Sequence, residues 1–198
     1  MTDHTTMPIQ LIVGLGNPGN EYADTRHNAG FWWLEELRRR AGATWKKDAS
    51  FQGQWCKVTL HGQTVYLLQP MTFMNRSGAS VQALMRFFKL EPAQVLVAHD
   101  ELDLPAGQLK LKRGGGSAGH NGLKDISQKL ATPDYWRLRI GIGHPGDRQQ
   151  VADYVLHPPR KEEHVLIEQG LWGADAILPD VLAGQFERAM LNLHTRNT

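Results

Sequence analysis

The stretch Val95-Leu96-Val97-Ala98 is apolar at consecutive positions and then turns polar at His99-Asp100-Glu101. An unbroken apolar run this short is a strand buried on both sides, too short for a helix and without the alternation of a half-exposed strand. Ile9-Gln10-Leu11-Ile12-Val13-Gly14-Leu15 has the same character and ends in glycines. Between such runs lie segments of helical period. Residues 28–40 put Phe31, Leu34 and Leu37 on one face and stop at Gly42; residues 75–89 put Val81, Leu84, Met85 and Phe88 on one face. Residues 56–60 and 64–68 read as strands joined by His61-Gly62-Gln63, residues 108–112 as an alternating, half-exposed strand, and residues 136–142 as a strand that alternates again. A further helix covers residues 123–130, and residues 161 to about 194 are helical with a break at Pro179. Strands in alternation with helices give the α/β class: one mixed, mostly parallel, twisted sheet with helices on both faces. The 198 residues fit a single domain, with the polar residues 1–8 as a flexible N-terminal extension.

Composition excludes more than it selects. Cys56 is the only cysteine, so there is neither a disulfide framework nor a Cys-x-x-Cys metal pair. No run of ~18 apolar residues is present, so no membrane span is expected. The first residues lack the basic start and apolar centre of a secretion signal, and a cytoplasmic location follows as the expectation. A formal net charge of +2 permits a nucleic-acid partner without demanding one.

In open α/β sheets ligands bind beyond the carboxyl ends of the strands. Asn17, Asn75 and Asp100 each follow a strand, so they are candidates for one site. Gly14-Leu15-Gly16-Asn17-Pro18-Gly19 matches G-x-G-x-x-G, but Pro18-Gly19 turns the chain before a helix can open at a pyrophosphate. The second strand of a dinucleotide unit is also missing, its place taken by Thr44-Trp45-Lys46-Lys47-Asp48, and no cofactor is expected. Gly115-Gly116-Ser117-Ala118-Gly119 matches the nucleophile elbow of serine hydrolases. The strand before it is half charged where an elbow needs an apolar one, so a flexible glycine loop is preferred, with a serine esterase using Ser117 as the alternative. Asp100, Glu101 and Asp103 read as a solvated cap, and no metal is expected.

A pairing of His27 with Asp100 makes chemical sense. The carboxylate would fix the imidazole tautomer and support its cation. A base so equipped activates water directly, with no serine. Asn17, Asn75 and Asn121 would supply amides to hold that water or a carbonyl oxygen. Lys110, Lys112, Arg113, Lys124, Lys129, Arg137 and Arg139 concentrate near the glycine loop, where they could face phosphates; a non-catalytic RNA-binding module is the second alternative.

Five segments in order carry a resemblance: VGLGNPGNEYADTRHNAGF (13–31), TFMNRSG (72–78), HDELDLPAG (99–107), GGGSAGHNGLKDI (114–126) and RLRIGIGHPG (137–146). With them the chain resembles the bacterial peptidyl-tRNA hydrolase family from about Gln10 to Leu156. The resemblance implies a monomeric, metal-free α/β esterase that cleaves the ester between a peptide and the 3′ end of tRNA, freeing the tRNA for reuse in translation. It implies His27 as catalytic base, Asp100 as its supporting acid, and Asn17 and Asn75 as substrate holders. Asn121 orients water or substrate, and Tyr22 and Phe73 contact the tRNA end. Lys112 and Arg139 grip phosphate, and Asn28 caps the helix behind the base. The family often has histidine and glycine where this chain has Ser117 and Ala118, in a loop thought to be a mobile gate, so gating is expected to differ here.

Overall fold

The computed structural model describes residues 7–196; most of the expected extension, residues 1–6, lies outside the described residues. One sheet contains β1 (Leu11–Gly14), β2 (Lys46–Asp48), β3 (Gly53–Leu60), β4 (Gln63–Pro70), β5 (Val95–Glu101), β6 (Leu109–Arg113) and β7 (Trp136–Gly141). Their spatial order is β2-β3-β4-β1-β5-β7-β6. β1 pairs in parallel with β4 and β5, and β5 with β7, whereas β3 is antiparallel to β2 and β4, and β6 to β7. All strands but β3 and β6 therefore run one way, which is the mixed, mostly parallel sheet expected.

Helices α1 (Ala29–Ala41), α2 (Ser77–Phe88), α3 (Asn121–Leu130), α4 (Val151–Val155), α5 (Lys161–Gly173), α6 (Leu178–Leu182) and α7 (Phe186–Arg196) complete the chain. On one face of the sheet Trp33 and Leu37 of α1, Ile167 of α5, Val181 of α6 and Leu193 of α7 bury Ile12, Leu96 and Leu138. On the other, Leu84 of α2 and Ile126 of α3 bury Leu11, Val13 and Val97. Successive residues of β1 thus enter opposite cores, which is why that strand has no polar position.

Several local expectations need correction. Residues 46–48 do form a strand, but a short antiparallel edge strand, not the second parallel strand of a dinucleotide unit. The β3–β4 turn is His61-Gly62 alone, with φ of +48° and +76°, and Gln63 already pairs with Leu60. Two positive φ values are what a tight hairpin requires to match strand twist. Pro179 does not break a helix. It sits in the first turn of α6, where no backbone N–H is needed, and the irregular backbone lies on either side of α6. Trp33, not Phe31, is fully buried on α1, because the helix meets the sheet through Gly30, Trp33, Leu34 and Leu37.

Gly30 decides how close α1 comes. A Cβ there would stand 2.4 Å from the Ala98 carbonyl oxygen and 2.6 Å from the Leu15 nitrogen. Gly14 answers it from β1, with room for a Cβ only 2.4 Å from the Gly30 carbonyl oxygen. Two glycines thus bring the start of α1 onto the ends of β1 and β5. The same contact explains the G-x-G-x-x-G spacing without a nucleotide, since a Cβ at Gly16 would meet the Phe31 ring at 2.7 Å.

Candidate active site

Asp100 lies near the end of β5 with 4% of its surface exposed, and each carboxylate oxygen takes one imidazole. His27, in the 3-10 turn Arg26–Asn28 ahead of α1, donates from Nδ1 to Oδ2 at 2.8 Å. His120 donates from Nε2 to Oδ1, also at 2.8 Å. A carboxylate can only accept, so both ring tautomers are set. The second nitrogens differ. His120 Nδ1 accepts the Leu123 N–H at 3.3 Å and caps α3, so its lone pair is engaged. His27 Nε2 has no such partner among the described residues and is the open base nitrogen.

Burial disfavours the His27 cation, but the Asp100 charge and hydrogen bond outweigh it, and the pKa stands above the ordinary 6.5. Burial alone would raise the Asp100 carboxyl; the pull of His27 and His120 and their hydrogen bonds win, holding it far below the carboxylate range. His99 stands beside this pair on β5, its ring centroid 5.2 Å from that of His120. It donates from Nδ1 to the Asp100 carbonyl at 2.8 Å, and complete burial beside a second imidazole pushes its pKa down to about 3. It is a neutral neighbour, not a second base.

Asn17 and Asn28 clasp each other. The Asn17 N–H donates to Asn28 Oδ1 at 2.8 Å, and Asn28 Nδ2 donates to the Asn17 carbonyl at 3.0 Å. Asn28 occupies the N-cap position of α1, but its side chain makes no cap bond, which corrects the expected capping role. Asn17 Oδ1 accepts the Met74 N–H at 2.8 Å. The backbone donor fixes the amide's orientation, leaving Asn17 Nδ2 as a donor with no partner among the described residues.

Arg26 is a structural neighbour of the base. Its backbone N–H donates to the His157 carbonyl at 3.1 Å. Its guanidinium donates to the Tyr154 carbonyl at 2.9 Å, lies 3.7 Å over the Tyr154 ring, and pairs with Glu163 at 3.4 Å. The adjacent Arg26, His27 and Asn28 thus divide the work: one anchors, one bonds the acid, one holds Asn17.

The other expected residues differ in how they are engaged. Tyr22 and Phe73 meet edge to face at 6.3 Å, and Phe73 is 58% exposed. Asn75 is exposed in the turn Met74–Arg76, which packs on α3, where exposed Asn121 is the first residue. Lys112 is exposed on β6. Arg139 is not a bare cation: its Nε donates to Glu101 Oε1 at 2.7 Å. Arg137 is buried and anchors the glycine loop, donating to the Gly116 and Gly115 carbonyls at 2.6 and 2.8 Å. His120, His99 and Glu101 were not singled out as site residues from sequence. For His120 the available signal was its place just before Asn121, at a helix start.

Other chemistries fit less well. The ligand atoms of His27, Asp100 and His120 lie within 4.8 Å of one another, as a metal site would require. Their 2.8 Å separations are hydrogen bonds between the groups themselves; donors at ~2.0 Å around one zinc stand farther apart, so a metal would have to break both bonds. Ser117 fails as an elbow nucleophile for a positional reason. Ala118, Gly119 and His120 intervene before α3, and the His120 lone pair is already given to Leu123.

Residues 11–198 match the family model described as peptidyl-tRNA hydrolase. A solved peptidyl-tRNA hydrolase from Acinetobacter baumannii is 46% identical, with 93% of this chain and 94% of that one covered and a TM-score of 0.90. A peptidyl-tRNA hydrolase in complex with N-propanol is 44% identical, with 98% and 96% covered and a TM-score of 0.91.

Proposed function

Since the chain belongs to the peptidyl-tRNA hydrolase family and so hydrolyses peptidyl-tRNA, we propose that it does so with water activated by His27 and without a covalent intermediate. His27 Nε2 takes a proton from water as the water oxygen attacks the ester carbonyl. The imidazolium is stabilised by Asp100. Collapse of the tetrahedral intermediate breaks the ester bond, and the proton passes to the departing ribose oxygen. Asn17 Nδ2 donates to the amide carbonyl that an N-blocked substrate carries and a free aminoacyl-tRNA lacks. An ammonium facing that donor is disfavoured, and a mismatch of this kind discriminates strongly because it leaves groups unpaired. Asn75 and Asn121 hold substrate or water, Tyr22 and Phe73 contact the tRNA end, and Lys112 and Arg139 face phosphate. Glu101 occupies only Nε of Arg139, so the outer guanidinium nitrogens are left for that contact. The working unit is a monomer in the cytoplasm; no helix among the described residues is long and apolar enough to cross a membrane.

The observation that carries this reading is the asymmetry between the two partners of the Asp100 carboxylate: both nitrogens of His120 are engaged, whereas His27 keeps one open among the described residues. The test is release of acetyl amino acid from N-acetyl-aminoacyl-tRNA after treatment with a serine-directed fluorophosphonate. Undiminished release is expected; loss of release with label on Ser117 overturns the reading.

A further inference from the structure

A groove of about 270 Å³ is lined by Asn17, Phe31, Trp32, Gln54, Gln69 and Met71. That is just under the ~300 Å³ at which small-ligand pockets begin, enough for one amino-acid residue and too little for a long peptide. Neither His27 nor Asp100 lines it, and the water-activating step makes no use of it.

Its polar groups have fixed polarities. Asn17 presents a donor, because its Oδ1 is held by the Met74 N–H. Two side-chain amides form a chain that starts at a backbone carbonyl. Gln69 Nε2 donates to the Phe31 carbonyl at 3.1 Å, so Gln69 Oε1 faces the other way. That oxygen accepts from Gln54 Nε2, so Gln54 Oε1 is turned outward, with no partner among the described residues. The carbonyl of Phe31 can only accept, and its polarity passes through both amides. Glu35 also lines the groove, but its oxygens are taken by Arg38 and by the Trp45 N–H.

We infer that this groove is a subsite for the residue preceding the esterified one, and that Gln54 reads that residue's backbone N–H. Moving from the ester toward the peptide's N-terminus, the chain offers first that residue's carbonyl and then its N–H. The groove offers first a donor, Asn17 Nδ2, and then an acceptor, Gln54 Oε1. Phe31, Trp32 and Met71 between them cover the intervening Cα and side chain. The inference rests on Asn17 holding the amide carbonyl, as in the function proposed above. Gln54 is then a specificity residue for peptides of at least two residues and has nothing to read in a single N-acetylated amino acid.

The test compares kcat/KM for N-acetylglycyl-aminoacyl-tRNA and N-acetylsarcosyl-aminoacyl-tRNA of the same amino acid, which differ by methylation of that one N–H. The wild type is expected to prefer the glycyl substrate by about fivefold or more, the loss that follows deletion of an ordinary hydrogen bond. In Gln54→Met the ratio should fall close to one. Taking the ratio within each protein cancels any loss of folded enzyme. A wild-type ratio near one, or a preference that survives in Gln54→Met, overturns the inference while leaving hydrolysis itself intact. Failure to release acetyl amino acid even from N-acetyl-aminoacyl-tRNA would overturn the parent reading and this one together.

Discussion

Asp100 and Arg137 are both buried charges on adjacent strands, and they are satisfied in opposite ways. Asp100 bonds two side chains, one from the turn before α1 and one from the cap of α3, and its partner His27 stands 73 residues away in sequence. Arg137 bonds only backbone carbonyls, those of Gly115, Gly116 and Pro133. A backbone carbonyl is present whatever the side chain, so the anchoring of the loop over Arg137 does not depend on which side chains stand at Ser117 and Ala118. No such substitution is open to the partners of Asp100. In the proposed reading, the chemistry sits in the part of the molecule that depends on particular side chains, and the contact with phosphate sits beside the part that does not.

If that division is right, variants of the inner part should slow hydrolysis of large and small substrates alike. The largest effect is expected from His27→Ala, a loss of turnover of about 10²–10⁴-fold or more, the worth of a general base. Whole-tRNA binding, measured by filter retention, should survive. Ser117→Ala should stay within a few-fold of wild type. A tolerant His27→Ala beside a dead Ser117→Ala would reverse the comparison.

Asp100→Asn should follow, with a loss of roughly 10²–10⁴-fold by removing the charge that supports the imidazolium and favouring the wrong tautomer. The sign of its pH effect follows from the proposed role of His27 as base. The neutral imidazole is the active form, and Asp100 raises its pKa above 6.5, so activity is lost as pH falls through that raised value. Without the carboxylate the proton is held less tightly, and the acid limb of the rate profile should move to lower pH. His120, whose ring lies beside His27, and neutral His99, beside His120, are unaltered by the substitution. An acid limb that stays where it was, in kcat/KM against pH, would detach Asp100 from the base.

Asn17→Asp sharpens the comparison within the inner part. The carboxylate can still accept the Met74 N–H but offers no donor on its other oxygen. The rate ratio of N-acetyl-aminoacyl-tRNA to free aminoacyl-tRNA should narrow, by about tenfold for a lost polar match. An unchanged ratio would take discrimination away from Asn17.

The smallest effect belongs to the outer part. Arg139→Ala should weaken whole-tRNA binding by a few-fold and lower the slope of log affinity against log salt by ~1. Hydrolysis of a short aminoacyl-nucleotide ester should change much less. Equal losses on both substrates would place Arg139 at the ester and erase the division.

The sheet was readable because burial leaves a plain mark. β1 and β5 are apolar where both faces are covered, and β7 alternates where one side is polar. The His27–Asp100 pair was readable as chemistry, from residue types at strand and helix ends. What stayed hidden depends on register and reach. Arg137 and Arg139 look equivalent in Arg-Leu-Arg, yet one is covered by the glycine loop and the other meets Glu101 across β5 and β7. Gln54 and Gln69 become partners only through the β3–β4 ladder, which sets them opposite each other. His120 was visible in its motif, but nothing in the spacing shows that an imidazole capping α3 also reaches Asp100.

The anchoring of Arg26 has a consequence in time. The turn bearing His27 is translated early, but Tyr154, whose carbonyl holds Arg26, comes 128 residues later. At ~5–20 residues per second that is a wait of roughly 6–26 s. Through that interval the growing chain is itself a peptide esterified to tRNA, of the class it will later cleave. Chains stalled on the ribosome before residue 154 are expected to release no acetyl amino acid from added N-acetyl-aminoacyl-tRNA. An enzyme whose base stands beside an arginine held by a late-synthesised segment lacks that anchor for most of the time that its own chain belongs to its substrate class.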